Sequence, residues 1–180
     1  MIENPHLTFV LGGARSGKSA YAESLLAAHP SPWIYIATAQ AFDDEMRERI
    51  DLHRARRDER WRTIDAPYDL ADAIRAAPAA APMLIDCLGI WLSNRLLNGA
   101  DLVADRAALV AALQERQAPT VVVSPEVGLS IVPENALARA FRDAAGLLHQ
   151  DVARIARSVA LVVAGYPVTV KGSKGEASVI

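Results

Sequence analysis

The stretch GGARSGKS, Gly12–Ser19, follows a short apolar run and precedes a helix-forming one. It satisfies G-x-x-x-x-G-K-[ST], and the strand-before, helix-after context carries more weight than the pattern. Glycines let the backbone curl so that its N–H groups point at phosphate oxygens, and a helix N-terminus adds its positive end. Gly12, Gly13, Ala14, Arg15, Ser16 and Gly17 would cradle a nucleoside triphosphate. Lys18 would reach the β- and γ-phosphates, and Ser19 would hold Mg²⁺. A chain that must deliver a strand, a tight anion-binding turn and a helix in 20 residues is committed to an α/β core with the strand buried.

The rest of the sequence agrees. Apolar β-rich runs at Leu7–Leu11, Trp33–Ala37, Trp61–Ile64, Met83–Cys87, Thr120–Ser124 and Ala160–Ala164 alternate with helical patterns. The helices are expected at Ser19–Ala28, Asp43–Arg57, Leu70–Ala76, Ile90–Leu97, Leu102–Arg116 and Glu134–Ser158, with a further edge strand at Val168–Val170. No linker or internal repeat interrupts them. This predicts one α/β domain over 1–180, with a mostly parallel sheet flanked by helices and a frayed tail from about 172 to 180.

Composition narrows the partners. A net charge of −2 with 52% hydrophobic residues fits a globular protein and gives no support to nucleic-acid binding. Basic residues concentrate in Arg47–Arg62, which points to a small anionic ligand. One cysteine, Cys87, excludes an intrachain disulfide and a cysteine-only metal site. The N-terminal residues lack a signal-peptide pattern, and no run approaches the ~20 apolar residues of a membrane span. A cytoplasmic protein is the expectation.

Two aspartates follow short strands. Asp86, in MLIDCL, is placed to position Mg²⁺ at the triphosphate, or else to cap the next helix. Asp65, in RTIDAP, is either a ligand contact or a turn former. Of the four histidines, His6, His29 and His149 have ordinary places near chain ends or on a helix face. His53 differs. In DDEMRERIDLHRARRDERW it shares a helical stripe with Met46 and Ile50, while Arg49, Arg56 and Arg57 lie one turn away. Guanidinium groups disfavour the imidazolium, so the ring would be neutral and nucleophilic. It is a surface residue, a packing residue, or a phosphorus-directed nucleophile.

The chain resembles the bifunctional adenosylcobinamide kinase / adenosylcobinamide-phosphate guanylyltransferase family. GGARSGKS, YIATAQAFDDEMRERIDLHRARR (Tyr35–Arg57), WRT (Trp61–Thr63) and EVGLSIVPEN followed by LARAFRDAAGLLHQ carry the resemblance, which runs from about Leu7 to Lys171. It implies a RecA-like P-loop fold, assembled as a homotrimer with sites between subunits. It implies two reactions: phosphorylation of the adenosylcobinamide hydroxyl by ATP or GTP, then transfer of GMP from GTP to that phosphate through a histidine, matched here by His53. It also implies that Ala37, Thr38, Ala39, Arg54, Ala55, Arg56, Arg57, Asp65 and Asp86 contact nucleotide, with Ser19 and Asp86 on Mg²⁺. The chain departs from the pattern at Asp65 and Asp86, where glutamate is frequent, and at Pro125, where asparagine is common. Two other readings compete. One is a simple P-loop kinase with His53 structural. The other is a nucleotide-dependent switch whose Ser124–Asn135 loop is read by a partner.

Overall fold

The computed structural model describes residues 3–40 and 58–172. The expected helix Asp43–Arg57, with His53, Arg54, Ala55, Arg56 and Arg57, lies outside them, as does the tail from 173. The described elements are β1 (Asn4–Gly12), α1 (Lys18–Ala27), β2 (Trp33–Ala37), β3 (Trp61–Asp65), α2 (Leu70–Ala76) and β4 (Met83–Asp86). They continue with α3 (Leu88–Leu97), α4 (Leu102–Glu115), β5 (Thr120–Pro125), α5 (Ala136–Ile155), β6 (Ala156–Val163) and β7 (Tyr166–Lys171).

All seven strands join one sheet in the order β3-β2-β4-β5-β1-β6-β7. Every pairing is parallel except β6 with β7. Parallel strands need crossovers, and the helices that supply them cover both faces. The period-2 pleat divides β1 cleanly. Leu7 and Phe9 face a layer built from α2, α3, α4 and α5, with Leu88, Leu109, Leu148 and Val152 buried there. Val10 faces the other layer, where Ala22 and Leu26 of α1 meet Leu84, Val121 and Val123. Each fully buried leucine here would cost about 2–5 kcal/mol to truncate to alanine. The sheet therefore fixes where the C-terminal strand ends, and with them the P-loop, must lie.

Helix starts follow local chemistry. Asp101 caps α4 by accepting from the N–H groups of Val103 and Ala104 at 3.0 and 3.1 Å. Asn135 caps α5 by accepting from Ala138 N–H at 3.2 Å. The end of α5 corrects the expected helix Glu134–Ser158. The helix stops at Ile155, Ala156 is extended (φ −71°, ψ 139°), and β6 begins at once. The last carbonyls are satisfied from a distance: Lys171 Nζ donates to the carbonyls of Ala153, Arg154 and Ala156 at 2.9, 3.1 and 2.7 Å. Ser158 then bonds Thr8, hydroxyl to hydroxyl at 3.0 Å, as part of the β1–β6 pair. The expected edge strand is longer than Val168–Val170. It forms a hairpin with β6 through Ala164 and Gly165, at φ 51° and 87°, the positive values that a two-residue hairpin turn favours.

Candidate active site

The loop Gly12–Ser19 leaves the end of β1 and enters α1 at Lys18. Two glycines are obligatory. Gly17 has φ 92°, and a Cβ there would lie 3.2 Å from Gly165 Cα. A Cβ on Gly12 would meet the Ser16 hydroxyl and come within 2.8 Å of the Val162 carbonyl. The hairpin turn also buttresses the loop, since Gly165 N–H donates to Ser16 O at 2.8 Å. Gly13, Ala14 and Arg15 are exposed, so their backbone N–H groups are open to an anion. The Ser16 hydroxyl is buried and makes no hydrogen bond among the described residues. Lys18 Nζ folds over the loop and donates to Gly13 O at 3.2 Å. Ser19, half-buried, stands in the first turn of α1.

Register places the other candidates. Ala37 is level with Asp86 on one side and with Asp65 on the other, and Asp86 is level with Val123. At about 4.8 Å per strand, Asp86 is two strands (~10 Å) from β1 and Asp65 four (~19 Å). Asp86 is half-buried on the α1 side of the sheet, since Leu84, two residues earlier, packs in that layer. It shares that side with Lys18, and both charges are felt at Cys87. Burial first, then the Asp86 charge, push the Cys87 thiol up to about 11, against the backbone N–H groups of Ile90 and Gly89 and, last, the Lys18 charge. The thiol is thus an inert packing group. A hydroxyl (Ser19) and a carboxylate (Asp86) form a hard oxygen donor pair, which suits Mg²⁺ that keeps waters and phosphate oxygens as its other ligands.

The sequence-predicted residues therefore fall into two groups. The P-loop and Asp86 form one. Ala37, Thr38, Ala39 and the exposed Asp65 form the other, at the ends of β2 and β3. Thr38 is fully buried. Its hydroxyl donates to Cys87 O at 2.8 Å and accepts from Cys87 N–H at 2.9 Å. Asn94 Nδ2 donates to Thr38 O and Pro67 O, both at 3.0 Å. These contacts clip the end of β2 to the start of α3, so Thr38 sets the position of its half-buried neighbours Ala37 and Ala39.

A further cluster was not assigned from sequence. At the end of β5, Ser124 Oγ and His149 Nε2 of α5 share a 2.8 Å hydrogen bond. His149 Nδ1 faces Glu126 Oε2 at 3.7 Å, and the ring packs on Phe9 with centroids 5.7 Å apart. Burial lowers the His149 pKa, against the pull of Glu126, so the imidazole is neutral at pH 7. The helical pattern showed that His149 belonged to a helix face. The partner groups, 23 and 25 residues away, carried no sequence signal.

The sequence matches the family described as cobinamide kinase / cobinamide phosphate guanyltransferase over residues 8–170. It is 46% identical over 166 residues to the Pseudomonas aeruginosa bifunctional adenosylcobalamin biosynthesis protein CobP, covering 91% of this chain and 96% of that one. It is 40% identical over 181 residues to the Escherichia coli K12 bifunctional adenosylcobalamin biosynthesis protein CobU, covering 92% and 99%. Among solved structures, a Pyrococcus horikoshii protein superposes with a TM-score of 0.57 at 7% identity, over 96% of this chain and 89% of that one, a likeness of fold alone.

Proposed function

Because the chain belongs to the cobinamide kinase / cobinamide phosphate guanyltransferase family, we propose the following division of labour for its two reactions. The kinase step uses the P-loop. Backbone N–H groups of Gly13–Gly17 hold the phosphates of ATP or GTP, and Lys18 offsets charge on the β- and γ-oxygens. Ser19 and Asp86 hold Mg²⁺, which when bound neutralises the triphosphate. The acceptor hydroxyl of adenosylcobinamide attacks the γ-phosphorus in line.

In the second step a neutral His53 nitrogen bonds to the α-phosphorus of GTP as pyrophosphate leaves with the bonding electrons. Arg54, Arg56 and Arg57 offset charge on the transferring and leaving oxygens. The phosphate of the first product then displaces GMP from the imidazole and gives adenosylcobinamide-GDP. Ala37, Thr38, Ala39 and Asp65 border the nucleotide at the ends of β2 and β3, with Ala55 in the histidine segment. We place the enzyme in the cytoplasm as a homotrimer. No described helix is long and apolar enough to cross a membrane.

The observation that carries the kinase half is the Gly17-capped loop with Lys18 and Asp86 on one side of the sheet. Incubation with α-³²P-GTP and Mg²⁺ followed by denaturing electrophoresis tests the covalent half. Wild type should acquire acid-labile, base-stable label, and His53→Ala should acquire none. Equal labelling of both would move the nucleophile elsewhere, and His149, already bonded to Ser124 and buried, is poorly placed to take it over.

A further inference from the structure

Glu126 sits one residue past the end of β5, the strand that lies directly beside the P-loop strand. Gly12 and Pro125 are in register, and Glu126 N–H donates to Gly12 O at 3.0 Å. Its backbone is thus stitched to the first residue of the phosphate cradle, one strand (~5 Å) from it. Asp86 is a strand further away and Asp65 three. Of the described carboxylates at or just past the strand ends, Glu126 is on the strand nearest the loop.

Its side chain is held through one oxygen and faces an imidazole with the other. Oε1 accepts from Gly128 N–H, and Oε2 faces His149 Nδ1 at 3.7 Å. His149 is itself pinned by Ser124 and by the Phe9 ring. The carboxylate side chain is only 20% exposed, yet no described lysine or arginine pairs with it. Its side of the sheet also differs from that of Asp86. Val123 faces the α1 layer, so Ser124 and the His149 it bonds belong to the α5 layer, and Glu126 turns toward them. Asp86, on the α1 side with Lys18, is placed for a cation. Glu126 approaches the loop from the opposite face, where a cation-free carboxylate repels phosphate but can accept a proton.

We propose that Glu126 is the proton acceptor for the attacking hydroxyl in the kinase step, with His149 and Ser124 as positioning residues. The hydroxyl oxygen bonds to the γ-phosphorus while the bond from phosphorus to the β–γ bridging oxygen breaks. The bridging oxygen leaves with the electron pair on the nucleoside diphosphate. The hydroxyl proton passes to the Glu126 carboxylate and then to solvent at its exposed edge. The inference rests on the kinase half of the family activity and is independent of His53.

Glu126→Gln separates chemistry from architecture. The amide oxygen still accepts from Gly128 N–H, but it takes no proton. Phosphorylation of adenosylcobinamide by γ-³²P-ATP is measured for wild type, Glu126→Gln and Glu126→Asp, with nucleotide Kd and labelling by α-³²P-GTP in parallel. The Gln variant should lose about 10²-fold or more in kcat, the range for one positioned proton acceptor. Its nucleotide Kd and its GMP label should stay within about twofold of wild type, and Asp should retain more kinase activity than Gln. A Gln variant with wild-type kcat, one that loses its fold, or Gln and Asp variants that lose activity and nucleotide affinity together would overturn the proposal. Failure of wild type itself to phosphorylate the corrinoid would count against the kinase assignment instead.

Discussion

Replacing Thr38 by valine removes one hydroxyl from the junction of β2 and α3 while preserving its volume. That hydroxyl is fully buried and makes two bonds to one residue, to Cys87 O at 2.8 Å and from Cys87 N–H at 2.9 Å. The Cys87 carbonyl keeps a second donor, Trp91 N–H at 3.3 Å, and so is not orphaned. The Cys87 N–H is left with no other partner among the described contacts. Stranding a buried donor costs about 1–3 kcal/mol, and the second bond adds about 1 kcal/mol net, so Thr38→Val should destabilise by about 2–4 kcal/mol. For a chain of this size that is a fall of roughly 4–16 °C in Tm. Thr38→Ser keeps both bonds and deletes one buried methyl, for about 1 kcal/mol. Thermal unfolding followed by far-UV circular dichroism measures both. A Val variant melting within about 1 °C of wild type, or a Ser variant less stable than Val, would refute the clip. A large loss of nucleotide affinity in Val with no loss of stability would make Thr38 a direct ligand.

Lys18→Ala should abolish corrinoid phosphorylation while leaving Tm nearly unchanged, because its only described hydrogen bond is to an exposed loop carbonyl; an unchanged kinase rate would remove Lys18 from the mechanism. Lys171→Met should cost about 2 kcal/mol in urea unfolding, since three carbonyls at the α5–β6 junction lose their charged donor; unchanged stability would show that water replaces the lysine. His149 has a folded-state pKa below its ordinary 6.5, so the unfolded chain takes up the proton first as pH falls. Its contribution is complete above about pH 6.5 and is lost below it, and His149→Gln should show a shallower loss of stability on the acid side. A steeper one would reverse the sign.

Where function depends on backbone geometry, the sequence was readable. Gly12 and Gly17 are needed at their positions because a Cβ would strike backbone, and the motif reports that need directly. The strand–helix alternation was readable for the same reason, since period-2 and period-3.6 patterns are local. What failed was set at long range. The apolar pattern of α5 continues past Ile155, and only Lys171, on β7, and the β1 pairing show where it stops. Thr38 was expected beside the nucleotide from the family resemblance alone; its hydrogen bonds to Cys87, 49 residues on, carried no sequence signal. Glu126 was visible within EVGLSIVPEN as a loop residue. Its proximity to Gly12 follows from strand order, which one sequence does not reveal.

The most direct measurement is a product time course for wild type and His53→Ala. Each is incubated with adenosylcobinamide, ATP, GTP and Mg²⁺, and the corrinoids are resolved by mass. Wild type should pass through adenosylcobinamide phosphate to adenosylcobinamide-GDP. His53→Ala should make the phosphate at close to the wild-type rate and stop there, because γ-phosphoryl transfer needs Lys18 and the loop but no covalent intermediate. Formation of adenosylcobinamide-GDP by His53→Ala at the wild-type rate would contradict the account.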